Sequence, residues 1–210
     1  MLFLLAAVTC LVGSVLAQTP PSYTLAETNN TLGVKYGKVN VVAGETIGYK
    51  VPLHLPQLSS STPLNKTYIA ILVDIIANYS SPIPANLLWF QQDVTFSADG
   101  IASYNGSAAQ VPYEAPSGVG HPYLALLYTQ PPGFIIPPNF PYNNTFRVAF
   151  NVTRVGADFQ TPLLEANYFL LGSNCTGEAS ATKTGGYHKP TATDGYYSGK
   201  EAYTRFSAHY

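Results

Sequence analysis

Short apolar or alternating runs, separated by Pro, Gly, Asn and Ser, fill the chain from residue 33 to residue 171. They are Gly33 to Val42, Thr46 to Leu53, Tyr68 to Ile76, Leu87 to Phe96, Tyr123 to Gln130, Thr145 to Val152 and Leu163 to Leu171. These runs are rich in Val, Ile, Tyr and Phe, which suit a pleated, half-buried surface. The pattern predicts a mainly β fold, a sandwich of two packed sheets with few short helices. Tyr68 to Val73, YIAILV, is apolar at every position, so it is expected to be a central strand covered on both faces. Between Thr153 and Phe159 there is room for a short turn of helix, with Gly156 inside it and Pro162 closing it. No repeat of solenoid or propeller period is present.

The two ends differ from this middle. Residues 1–17, MLFLLAAVTCLVGSVLA, form an apolar block that ends on Val15-Leu16-Ala17 and is followed by polar Gln18. That texture predicts a secretory signal peptide, although no Lys or Arg precedes the block. It is shorter than the roughly 20 residues a bilayer span needs, so no transmembrane anchor is expected. Residues 18–172 then form one domain large enough to bury a sizeable core. Residues 173–210 are small and polar with interspersed tyrosines. They lack the apolar periodicity that would offset the entropy of ordering them, and a disordered tail is expected. The chain ends on His209-Tyr210 without an apolar block, which argues against a glycolipid anchor.

Charge removes some partners from consideration. The formal net charge is −1 and charged residues make up 10% of the chain, so no basic patch points to nucleic acid or an anionic membrane surface. Of two cysteines, Cys10 leaves with the signal peptide, and Cys175 alone cannot close an intrachain disulfide. It is either a buried small side chain or an exposed thiol able to join two chains. Asn-x-Ser/Thr sites at Asn29, Asn65, Asn78, Asn105, Asn143, Asn151 and Asn174 support a secreted glycoprotein. Asn105, in SYNGS, reads as an exposed turn; Asn151, inside an apolar alternation, is the poorest candidate to carry sugar.

Catalytic signatures are missing from the sequence. It has no G-x-S-x-G elbow, no H-E-x-x-H, no P-loop and no dinucleotide glycine fingerprint. The histidines, His54, His121, His188 and His209, lack ligand spacing, so no metal is expected. Ser117 lies near His121, but that spacing supplies neither an oriented base nor an oxyanion hole. The expectation is a protein without catalytic activity and without a cofactor.

One order of segments carries more information. LVDIIANYSSP (72–82) is followed by LLWFQQDVTF (87–96), VPYEAPSGVGHPYLALLYTQP (111–131), TFRVAFNV (145–152) and PLLEANYFLL (162–171). In order and spacing this resembles the phosphatidylethanolamine-binding protein family. That family shows a strand leading into D-P-D-A-P, then L-H-W, then Y-x-G-P-x-P-P-x-G-x-H-R-Y before a strand ending in Gln, then F-x-V-x-x-F and P-V-A-x-N-Y-F. The resemblance spans about residues 20–172 and implies the family's β-sandwich.

It also implies a small anion site at the strand ends, where His and Tyr beside aspartates bind phosphate-like headgroups. Mapped by motif, the pocket falls on Asp74, His121, Tyr123, Pro116 and Trp89. Several positions depart from the family pattern: Pro-Asp after Asp74 becomes Ile75-Ile76, the His before Trp89 becomes Leu88, and Arg after His121 becomes Pro122. Removing a charged donor costs about 1.5–3 kcal/mol of anion affinity, or one to two decades. The implied function is a secreted binding protein with a degenerate anion or lipid-headgroup pocket. Such a pocket would take a phospholipid headgroup or another small apolar or anionic ligand, and a protease is the protein partner the family suggests. The rival reading is an extracellular structural or surface-interaction glycoprotein that uses the fold without a pocket ligand.

Overall fold

A computed structural model of the chain describes residues 19–20, 28–61, 65–75, 84–136, 147 and 150–173. The predicted signal peptide, the tail beyond Ser173, Ile76, Asn78, Asn143, Asn174 and Cys175 lie outside the described residues. The fold is mainly β with two packed sheets.

The larger sheet runs β3 (Glu45–Gly48), β10 (Leu163–Gly172), β8 (Pro122–Thr129), β5 (Tyr68–Ile75), β6 (Pro84–Phe96), β7 (Ala102–Ser103), with β9 (Phe150–Asn151) pairing beside β6. The smaller sheet is β2 (Val39–Val41), β1 (Gly33–Tyr36), β4 (Gln57–Ser59). As expected from its apolar run, β5 is central: it pairs antiparallel with β6 and with β8, and every residue of it is buried.

Alternation along β5 and β8 divides the core in two. Ile69, Ile71, Val73 and Ile75 join Leu124, Leu126 and Tyr128 on one face, covered by Val152, Val155 and Phe159 of helix α1 (Val152–Phe159). Tyr68, Ala70 and Leu72 join Ala125 and Leu127 on the other, where Val34, Tyr36, Val41 and Leu58 of the small sheet close over them. Two polar side chains of β10 lie on this second face. Asn167 Nδ2 donates to the carbonyls of Leu32 (2.8 Å) and Val41 (3.2 Å), and buried Glu165 accepts from the Ser60 hydroxyl. They connect the sheets through hydrogen bonds, where most of the interface is apolar.

Two local expectations are corrected, and the short helix expected between Thr153 and Phe159 is present. The alternation from Gly33 to Val42 is a hairpin, not one strand, because Gly37 at φ +58° reverses the chain in a region that glycine enters without a Cβ penalty. The strand expected through Val152 ends at Asn151, and the helix begins one residue later. That helix runs eight residues in spite of Gly156, because its apolar side packs into the core, and it stops at Gln160, φ +53°. Among the described residues no helix is long and apolar enough to cross a membrane.

Candidate functional site

Asp74 is the next-to-last residue of β5, and its cross-strand partners are Asn86 on β6 and Tyr123 on β8. Direct partners across a sheet project to the same face, so Asn86, Asp74 and Tyr123 form a row at one end of the sandwich. Phe169 of β10, paired with Tyr123, continues it. These residues sit on the face that packs against the small sheet, at its margin.

His121 comes to the same end from the segment leading into β8. Its Nδ1 is 3.1 Å from one Asp74 carboxylate oxygen and 3.3 Å from the other, across 47 residues of chain. The Asp74 side chain is only 11% exposed and that of His121 41%. The carboxylate is therefore nearly closed off, and the imidazole in front of it opens to solvent. Hydrogen bonding to Asp74 raises the His121 pKa above its ordinary value, and the aspartate's charge adds to this, while partial burial works in the opposite direction.

Tyr123 holds the loop that delivers His121. Its hydroxyl donates to the Gly118 carbonyl (2.9 Å) and accepts from the Gly118 amide (2.7 Å), so its one proton is already committed. Burial, with Asp74's charge second, raises the Tyr123 pKa well beyond the ordinary phenol range, and the side chain stays neutral. Its ring stacks on Phe169 at 5.4 Å and lies below the His121 ring at 6.5 Å. The loop is further fixed by the Gly120 amide, which donates to the Leu171 carbonyl at 2.8 Å, and by buried Pro116. Gly118 fits closely against His121, because a Cβ there would lie 2.3 Å from Nδ1.

Of the five residues the sequence pointed to, Asp74, His121 and Tyr123 thus converge. Pro116 belongs to the loop that carries His121. Trp89 sits two register positions further in, opposite Leu72, fully buried and 5.3 Å from the Tyr104 ring. Leu88, standing where the family pattern has a second histidine, is 3% exposed and fills the core between the sheets.

Sequence reasoning passed over Asn86 and Arg147. Asn86 faces Asp74 directly, and the signal for it was parity: it alternates with Leu88 on the inward side of β6. Arg147 donates to the carbonyls of Leu87 and Leu88 (3.2 Å each) and Pro112 (2.8 Å) and pairs with Glu114 at 3.3 Å. It ties β6 to the segment that leads to the His121 loop. A lone arginine in FRVAF offered no such signal.

With Nδ1 turned to Asp74, Nε2 is the nitrogen His121 has for a ligand, and it donates when the ring is protonated. The end of the sheet can therefore offer one charged donor backed by a carboxylate. Among the described residues no group of three or more His, Cys, Asp or Glu comes together to hold a metal ion. A separate hollow of about 340 Å³ lies on the outer face of the small sheet, beside Gly33, Lys35, Asn40, Gln57, Ser59 and Ile101, away from Asp74.

No family model matches the chain, and no curated protein matches it. Among solved structures it is similar to carboxypeptidase Y inhibitor, seen in complex with the cognate proteinase. The TM-score is 0.52 at 18% identity, covering 70% of this chain and 85% of that one. At that identity the likeness shows the fold: a mainly β sandwich like that of the phosphatidylethanolamine-binding proteins.

Proposed function

We propose that this chain is a secreted, non-enzymatic binding protein of the phosphatidylethanolamine-binding type. Its ligand end is the His121–Asp74 pair, which takes a small anionic group such as a phosphate or a phospholipid headgroup. The observation that carries this reading is a half-exposed imidazole held on a nearly buried carboxylate. A charged donor kept in one orientation is what an anion requires. Because Leu88 replaces a second histidine and Tyr123 has no proton to give, affinity is modest, one to two decades below that of a complete donor set.

Calorimetry with inorganic phosphate, phosphorylethanolamine and phosphatidylethanolamine vesicles tests it. Saturable binding that disappears in His121→Ala is the expected result. Heat that is absent, or that is unchanged in the variant, sinks it and favours the extracellular structural glycoprotein instead.

A second reading, protease inhibition, is favoured by the fold shared with a carboxypeptidase inhibitor. Secreted carboxypeptidases and serine proteases assayed with and without the chain decide it. Dose-dependent loss of turnover supports an inhibitor, and unaltered rates across the panel remove that reading.

A further inference from the structure

We propose that, among the described sequons, Asn29, Asn65 and Asn105 carry N-linked glycans and Asn151 does not, so that the sugar on these sites lies at the end of the sandwich away from His121. This rests on the secreted part of the reading above. The reaction joins the Asn Nδ2 to the anomeric carbon of an oligosaccharide supplied as a lipid pyrophosphate in the secretory compartment. The C–O bond to the pyrophosphate breaks, the N–C bond forms, and one amide proton is lost. The product must remain in water, since a branched polar group of this size has no place in a core.

The described sequons separate on that criterion. Asn29 is exposed between two residues that are tied down: Thr28 Oγ1 and Asn30 Nδ2 both donate to the Leu164 carbonyl, at 3.0 and 3.1 Å. The segment is thus fixed while Asn29 itself faces outward. Asn65 and its neighbour Lys66 are exposed just ahead of β5, and Thr67, which completes the sequon, accepts from the Gln130 amide at 2.9 Å. Asn105 is exposed where the chain leaves β7 and enters a 3-10 turn, Gly106–Ala108. Asn151 differs: it is half-buried in β9, register-paired with Pro84, and followed by Val152, which is 2% exposed in the core.

Their positions along the sheet give the second part of the inference. Leu164 and Thr67 lie at the end where β5 starts and β8 finishes, marked by the Tyr68–Thr129 pair. Asp74 and Tyr123 mark the opposite end, and six extended steps along β5 separate the two by about 20 Å. Asn105 follows the β7 residues paired with Thr95 and Phe96, at the far end of β6 from Asn86. Asn151, in contrast, pairs with Pro84, and its neighbour Phe150 pairs with Ala85, which pairs with Ile75 next to Asp74. A glycan there would crowd the site.

The test uses the full chain made by a eukaryotic secretory pathway. It is deglycosylated enzymatically in heavy-oxygen water and mapped by peptide mass, which marks every asparagine that bore sugar. The mark is expected on Asn29, Asn65 and Asn105 and not on Asn151. Sugar on Asn151, or an unmarked Asn29, Asn65 or Asn105 while Asn78, Asn143 or Asn174 is marked, overturns the inference and leaves secretion standing. A chain retained inside the cell with no mark anywhere overturns both.

Discussion

Gly118 and His121 are packed so closely that a methyl group on the glycine would lie 2.3 Å from Nδ1 and 2.6 Å from Cε1 of the imidazole. The ring is half-exposed, so in Gly118→Ala it swings outward and leaves the backbone in place. Global stability should then fall by less than about 1 kcal/mol, as for the loss of one partly exposed ion pair. Binding of phosphorylethanolamine should weaken about tenfold, because the charged donor is no longer held. An imidazole titration followed by NMR should show the His121 pKa returning toward its ordinary value. An unchanged titration would mean the loop, not the ring, had absorbed the methyl group.

The pair also makes stability depend on pH. The folded-state pKa of His121 is raised by its hydrogen bond to Asp74. Its contribution is therefore fully present below the unfolded value near 6.5 and is lost as pH rises through the higher folded value. Because the imidazole is 41% exposed, solvent screening keeps this contribution to about 0.5 kcal/mol. In Asp74→Asn the imidazole keeps its partial burial and loses the carboxylate, so its pKa drops to the ordinary value or below. Urea unfolding of both proteins at pH 5.5 and pH 8.5 checks this: the difference between them should be larger at the lower pH.

Different physical signals made different parts of this architecture legible in the sequence. β5 and β8 were visible because they are apolar on both faces, a property of short-range pattern alone. β4, Gln57–Ser59, was not, since three polar-flanked residues become a strand only by pairing with Gly33 to Lys35. The Gly33–Val42 alternation concealed a hairpin because apolar parity continues through the turn. Asp74 and His121 could be brought together only through the order of segments, and nothing local in either stretch foretells a 3.1 Å contact. Glu165 and Asn167 did leave a trace: in LLEANYFLL they share parity with Phe169 and Leu171, which marks them as polar side chains facing inward.

That trace leads to a prediction about how the sheets are joined. Asn167 is 1% exposed, and its amide satisfies the carbonyls of Leu32 and Val41. Asn167→Leu keeps the volume and removes both bonds, and should cost about 2 kcal/mol. Asn167→Asp should cost more at neutral pH, since an ionised acceptor then faces two carbonyl acceptors. Protonation restores one O–H donor, so part of that loss should be recovered in acid. Urea midpoints measured at neutral pH and at pH 4 report this, provided the slope of unfolding free energy against denaturant is unchanged. Equal midpoints for the two variants at every pH would place the amide outside the linkage between the sheets.

Arg147 should also be sensitive to substitution, for reasons of geometry rather than charge. Its guanidinium contacts three backbone carbonyls from two segments, whereas its carboxylate partner Glu114 is 58% exposed. Deleting the exposed partner removes little: Glu114→Ala should cost no more than about 0.5 kcal/mol, as most surface pairs do. Arg147→Lys retains the charge but has one ammonium in place of a planar fork, so it cannot serve Leu87, Leu88 and Pro112 together. The carbonyls it abandons are flanked by buried Leu87, Leu88 and Val111, and the expected cost is about 2 kcal/mol. The loss should also be local: amide exchange should speed up at Glu114, whose N–H donates to the Leu88 carbonyl at 2.9 Å, well before it does so in β5. Since the same segment continues into the Gly118 loop, phosphorylethanolamine binding should weaken in Arg147→Lys and not in Glu114→Ala. Parallel losses in the two variants would assign the effect to the ion pair and remove the backbone clamp from the account of how His121 is positioned.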